Sequence, residues 1–140
     1  MSEAESEKVR VAACACGALR VRVRGEPARV NACSCQQCQK RSGSAFTYTA
    51  FFPEAAVVGI EGERRTWRGF SDSGRWQDYN FCPTCGVAVF SRMEAAPENI
   101  AVAVGAFADR DFPGPPKFYW SSKKHHWLTL PEAIEALETQ

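Results

Sequence analysis

The stretch Cys14-Ala15-Cys16-Gly17-Ala18-Leu19-Arg20-Val21-Arg22-Val23-Arg24 decides the fold, because it joins a ligand turn to a strand. From Ala18 to Arg24 the residues alternate. Leu19, Val21 and Val23 fall on one face, and Arg20, Arg22 and Arg24 on the other. A period of two is the mark of a half-buried strand, and the arginine row reads as its solvated face. Phe46–Phe52 alternates in the same way and ends at Pro53. Val9–Ala13, Val57–Ile60, Arg65–Phe70, Arg75–Phe81, Val87–Ser91 and Ile100–Phe107 read as further short strands, separated by Gly, Pro, Asp and Ser. Short strands at this spacing predict a mainly β domain built from antiparallel sheets. Helical signal is confined to a turn at Gln36–Arg41 and to Pro131–Glu138. In the latter, Pro stands near the start, acids follow, and Ile134 and Leu137 share a face, which predicts a short C-terminal helix.

The chain of 140 residues, 45% hydrophobic and 24% charged, suits one globular domain. A polar lead over residues 1–8 and a single domain over 9–140 are expected. A net charge of +1 gives no electrostatic ground for nucleic acid or an anionic membrane surface. No apolar run approaches the ~18 residues of a membrane span, and the polar start MSEAESEKVR lacks the apolar stretch of an export signal. The expected location is cytoplasmic.

The seven cysteines fall into three groups: Cys14 and Cys16 before Gly17; Cys33, Cys35 and Cys38; and Cys82 and Cys85 before Gly86. An odd number excludes complete internal disulfide pairing, and tight clusters in a reducing compartment point to metal. Cys82-Pro83-Thr84-Cys85-Gly86 has the form of a zinc knuckle, which supplies only two of the four ligands that tetrahedral zinc requires. If Cys14 and Cys16 supply the other pair, the site is closed and structural. Cys33, Cys35 and Cys38 then form a three-ligand site with an open position, the pattern of a catalytic zinc. Two other divisions remain: the trio could join Cys82 and Cys85, or Cys82 and Cys85 could act as a redox pair. The spacings match neither ferredoxin pattern.

Cys-x-Cys-Gly, then Cys-x-Cys-x-x-Cys followed by Gln39-Lys40-Arg41-Ser42-Gly43-Ser44, then Phe81-Cys82-Pro83-Thr84-Cys85-Gly86, resembles the glutathione-dependent formaldehyde-activating enzyme family, whose domain is shared by centromere protein V. The resemblance runs from about Cys14 to Trp127. It implies an Mss4-like β fold of antiparallel sheets bridged by a structural zinc on Cys14, Cys16, Cys82 and Cys85. It also implies a catalytic zinc on Cys33, Cys35 and Cys38. The implied activity is that of a carbon–sulfur lyase running in reverse, joining glutathione to formaldehyde. The alternative is a non-catalytic zinc-stabilised interaction module. Lys40, Arg41, Ser42 and Ser44 are candidate substrate-binding residues, a polar and basic rim following the trio. Lys123-Lys124-His125-His126-Trp127 reads as a solvated basic loop, although an imidazole is a side chain that can move a proton during thiol addition. Trp127 is expected in the core or as a pocket wall.

Overall fold

In the computed structural model, residues 8–140 are described. The expected polar lead therefore lies outside the described residues, apart from Lys8. Among the described residues eleven strands form: β1 (Val9–Ala13), β2 (Arg20–Arg24), β3 (Arg29–Cys33), β4 (Thr47–Pro53), β5 (Val57–Glu61), β6 (Arg65–Phe70), β7 (Trp76–Phe81), β8 (Ala88–Met93), β9 (Asn99–Ala103), β10 (Lys117–Tyr119) and β11 (Glu135–Leu137). The single α-helix among the described residues is α1 (Gln36–Ser42). No helix of the described residues is long and apolar enough to cross a membrane.

The strands form two sheets. The smaller has the order β1-β2-β5 and the larger the order β11-β10-β3-β4-β9-β8-β7-β6. The pairs are antiparallel except at one edge, where β10 runs parallel to both β3 and β11. The alternation read at Ala18–Arg24 decides which way β2 faces. Leu19, Val21 and Val23 are fully buried against Ala50, Phe52, Phe90, Ile100 and Val102 of the larger sheet, while Arg20 and Arg24 are exposed. Arg22 pairs with Glu61 of the neighbouring β5 at 2.8 Å.

The other face of the larger sheet is different. Asn31 lies opposite Thr49, Cys33 opposite Thr47, and Ser91 opposite Ala101, so these residues share one face. Asn31, Thr47, Thr49 and Ser91 are all buried. β4 is consequently buried on both faces, apolar toward the core and polar toward the cysteine trio.

The C-terminal segment departs from the expected helix. Pro131 closes a turn with Ile134, and Glu135 N–H then donates to Pro116 at 2.9 Å. Glu135–Leu137 runs along the open edge of β10 as a strand. Eight residues make a marginal helix on their own, and the unpaired edge of β10 offers the backbone partners that the segment would otherwise lack. Ile100–Phe107 also divides: β9 ends at Ala103, and Val104–Phe107 coils into a 3₁₀ turn.

Candidate metal centres

The turn after β1 and the turn after β7 have matching hydrogen bonds. Cys14 N–H donates to Leu19 O at 3.0 Å and Cys82 N–H to Val87 O at 3.0 Å, while Gly17 and Gly86 each donate back to the first cysteine's carbonyl. Both glycines are left-handed, at φ 81° and 79°, a conformation that side chains resist. The turns bring Cys14, Cys16, Cys82 and Cys85 together, with sulfurs within 4.8 Å of one another. Cys14 Sγ accepts the Leu19 amide at 3.2 Å, and Cys82 Sγ accepts the Thr84 amide at 3.4 Å. Burial opposes the Cys14 thiolate, but the Leu19 amide and the neighbouring thiols outweigh it and draw its pKa down to about 6. For Cys16 the Ala18 amide favours the thiolate, but the competing Cys14 and Cys82 thiols push the pKa up to about 11. The quartet joins the smaller sheet to the larger.

The second cluster is contained in six residues of sequence. Cys33 ends β3, Cys35 is the N-cap of α1, and Cys38 lies in its first turn, with sulfurs again within 4.8 Å of one another. Cys35 Sγ accepts the Cys38 amide at 3.3 Å, and Cys33 Sγ accepts the Cys35 amide at 3.5 Å. Bonds from the Cys33 and Cys38 thiols, then from the amides of Cys38 and Asp72, hold the Cys35 thiol far below its ordinary pKa. Cys33 is pushed up, first by its bonds to Cys35 and Cys38. At Cys38 the bond from Cys33 favours the thiolate, but donation to Cys35 and burial outweigh it and push the pKa up. The Thr47 hydroxyl also faces the Cys38 sulfur.

Both donor sets suit a soft or borderline cation such as Zn²⁺. They are all-sulfur, mutually close and supplied with amide donors that stabilise thiolate charge. The quartet offers four sulfurs, enough for a tetrahedral site made of protein atoms alone, whereas the trio offers three, one short of such a set.

The trio opens on a narrow cavity of about 50 Å³, whose walls include Arg41, Trp76, Tyr119 and Trp120. A wider groove of about 910 Å³ lies beside it and reaches the knuckle loops. Arg41, Thr47 and Thr49 line both spaces. Of the four rim candidates, Arg41 stands at this junction, its guanidinium 4.0 Å from the Tyr79 ring centroid. Ser42 and Ser44 line only the groove, and the Ser42 hydroxyl also bonds Cys38 O at 2.7 Å near the end of α1. Lys40 is exposed and lines neither space.

His125 and His126 are exposed and also line neither. Trp127 is 62% exposed, contrary to the core or wall position expected of it. The basic run is instead used as an anchor, because Lys123 reaches Asp72 at 2.8 Å. Asp72 also accepts the Gln36 amide at 2.9 Å, so one carboxylate ties the β6–β7 loop to the start of α1. Sequence reasoning missed this role, since nothing near Asp72 in the chain signals it.

A family model described as glutathione-dependent formaldehyde-activating enzyme matches residues 9–127. No protein of curated function matches the chain significantly. Among solved structures, a crystal structure of a Rhodobacter sphaeroides protein from a structural-genomics programme superposes with a TM-score of 0.53 at 21% identity. The match covers 69% of this chain and 85% of that one, and it bears on the fold alone. The chain belongs to the glutathione-dependent formaldehyde-activating enzyme family.

Proposed function

We propose that this member of the formaldehyde-activating family joins a thiol of the glutathione kind to a small aldehyde at the Cys33–Cys35–Cys38 site, while the Cys14–Cys16–Cys82–Cys85 site is architectural. The observation that carries the reading is the difference between the two clusters: four sulfurs converge between the sheets, and three converge beside a cavity. Zinc at the trio would supply a position at which an incoming thiol gives up its proton at neutral pH.

The chain's own residues do the rest. The amides of Cys35, Cys38 and Asp72 and the hydroxyl of Thr47 face the three sulfurs and stabilise their negative charge. Trp76 and Trp120 wall the cavity and limit the water around the reacting atoms. The groove gives the body of a tripeptide-sized thiol room to lie with its sulfur toward the trio, past Arg41.

The test is zinc analysis of the purified protein with and without glutathione, together with NMR measurement of hemithioacetal exchange. About two zinc ions per chain in the presence of thiol, with exchange faster than in buffer, is the expected result. One zinc that never rises, with exchange at the buffer rate, would leave a zinc-stabilised interaction module.

A further inference from the structure

The cavity beside the trio is lined by three arginines, Arg29, Arg41 and Arg75, and by no aspartate or glutamate. Arg29 lies on β3 two strand positions from Asn31 and four from Cys33, so all three share a face. Its guanidinium carbon rests 4.4 Å from the centroid of the Phe51 ring, and that of Arg41 rests 4.0 Å from the centroid of the Tyr79 ring. Arg41 Nε is buried without a hydrogen-bond partner. None of the three guanidiniums has a carboxylate partner among the described residues. The nearby acids are engaged elsewhere: Asp72 by Lys123, Asp78 by Arg68, and Glu94 by the Trp76 amide at 3.1 Å.

The charges do not balance. A divalent ion on the three thiolates would carry about −1, the terminal carboxylate of Gln140, which also lines the cavity, about −1, and the three guanidiniums about +3, which leaves a surplus of about one positive charge around the reacting centre. Formaldehyde is neutral and leaves that surplus unanswered. A carboxylate answers it through paired N–H···O bonds, the geometry for which a guanidinium is shaped. Size narrows the choice further. A cavity of about 50 Å³ holds a molecule of only a few heavy atoms. The groove on the other side of Arg41 accommodates a far larger body.

We propose that the carbonyl reactant seated in this cavity is a small oxo acid, an aldehyde carrying its own carboxylate, of which glyoxylate is the simplest. Arg75 and Arg29 hold the carboxylate, and Arg41 stands between this reactant and the thiol in the groove. The chemistry balances without an oxidant. The thiol gives its proton to water, its sulfur bonds to the aldehyde carbon, the carbonyl π pair moves onto oxygen, and that oxygen takes the proton back from water. The product is a hemithioacetal bearing the carboxylate.

The chemical step rests on the thiol–aldehyde reading above, but the binding step does not, and the experiment separates them. Trp76 and Trp120 line the cavity, so fluorescence of the zinc-loaded protein reports its occupancy. Glyoxylate is expected to give a saturable change at concentrations at least tenfold below those needed for acetaldehyde or formaldehyde. Arg75→Gln should raise its half-saturation about tenfold, with zinc content and melting temperature unchanged, and Arg29→Gln serves as the second variant. Glyoxylate binding no tighter than acetaldehyde, or unchanged in both variants, overturns the proposal. Arginine-dependent saturation by mercaptoacetate but not by glyoxylate would place the carboxylate on the thiol, and the oxo-acid assignment would fall. If glyoxylate binds as expected but no thiol adds to any aldehyde faster than in buffer, the carboxylate site stands and the thiol–aldehyde reading fails.

Discussion

Removing one sulfur from each cluster gives the sharpest contrast, with Cys82→Ala for the quartet and Cys35→Ala for the trio. Cys82 is 1% exposed and belongs to the only group of cysteines among the described residues that joins the two sheets. A structural zinc contributes on the order of 10 kcal/mol to folding, comparable with the ~5–15 kcal/mol stability of an entire domain. Leu19, Val21 and Val23 depend on the smaller sheet staying against the larger, so loss of the link exposes a fully buried layer. Cys35 is equally buried, but its sulfur serves only its own neighbourhood. Losing its bond to the Cys38 amide costs about 1 kcal/mol as a lost cap, and the void left by the sulfur costs about 1 kcal/mol more. An ion at a free concentration near its dissociation constant adds only about 0.4 kcal/mol. A total of about 2 kcal/mol lowers the melting temperature by about 4–8 °C in a domain of this size. Circular-dichroism melts with zinc analysis make the comparison. Cys82→Ala should be insoluble or lack a cooperative transition, whereas Cys35→Ala should melt cooperatively within that range. Collapse of Cys35→Ala, or a Cys82→Ala melt within a few degrees of the parent, would refute the division of labour between the clusters.

Three further outcomes follow from the geometry. Gly62→Ala should destabilise the protein by about 2–4 kcal/mol in chemical denaturation, because at φ 99° an added Cβ would lie 1.9 Å from Ala18 O and the backbone must move. Asp72→Asn keeps an acceptor for the Gln36 amide but loses the charge facing Lys123. Amide exchange across Gln36–Ser42 should speed up, and zinc binding at the trio should weaken, while β1 and β2 stay protected. Hydrogen bonds from Arg68, with its positive charge, hold the Asp78 carboxyl below the usual carboxylate range. Any stability from this exposed pair is present above the unfolded pKa and disappears as pH falls through the lower folded value. Arg68→Gln should move the Asp78 NMR titration midpoint up toward the ordinary carboxylate value.

The parts of the fold that were legible in sequence are those whose local pattern agrees with their final partners. β1, β2 and β4–β8 were all foreseen, with ends shifted by no more than two residues, because each alternates or is bounded by turn residues. β3 was not foreseen. Its residues, Arg29-Val30-Asn31-Ala32-Cys33, put Asn31 and Cys33 where a simple strand would place either core or solvent. That face is neither, being a buried polar wall to the trio. β10 and β11 have three residues each; β10 exists only by pairing with β3, far away in sequence, and β11 only by pairing with β10. The cysteine grouping was legible because side chains that converge on one point from a single turn must be closely spaced in sequence, and the structure brings the same three spaced groups into two clusters. Arg29 and Arg75 carry no such imprint. Forty-six positions separate them, and only the folding of the sheet and the β6–β7 loop brings them to one cavity.

Backbone strain adds a further observation about where the fold concentrates its precision. Two non-glycine residues among those described, Ala108 and Trp120, have positive φ. Trp120, at φ 58°, walls the trio's cavity, and its carbonyl accepts the hydroxyl of the fully buried Ser34 at 2.7 Å. A left-handed tryptophan costs on the order of 1 kcal/mol or more and persists only where its surroundings enforce it. Ser34 lies between Cys33 and Cys35, so the bond that enforces the strain is anchored in the ligand stretch itself. Gln39 strengthens the tie by donating to both Ser34 O at 2.7 Å and Lys123 O at 2.9 Å. The cavity wall and the trio therefore cannot move independently. On the proposed reading, in which the cavity admits a small reactant, a wall held at a fixed distance from the sulfurs is what the chemistry requires.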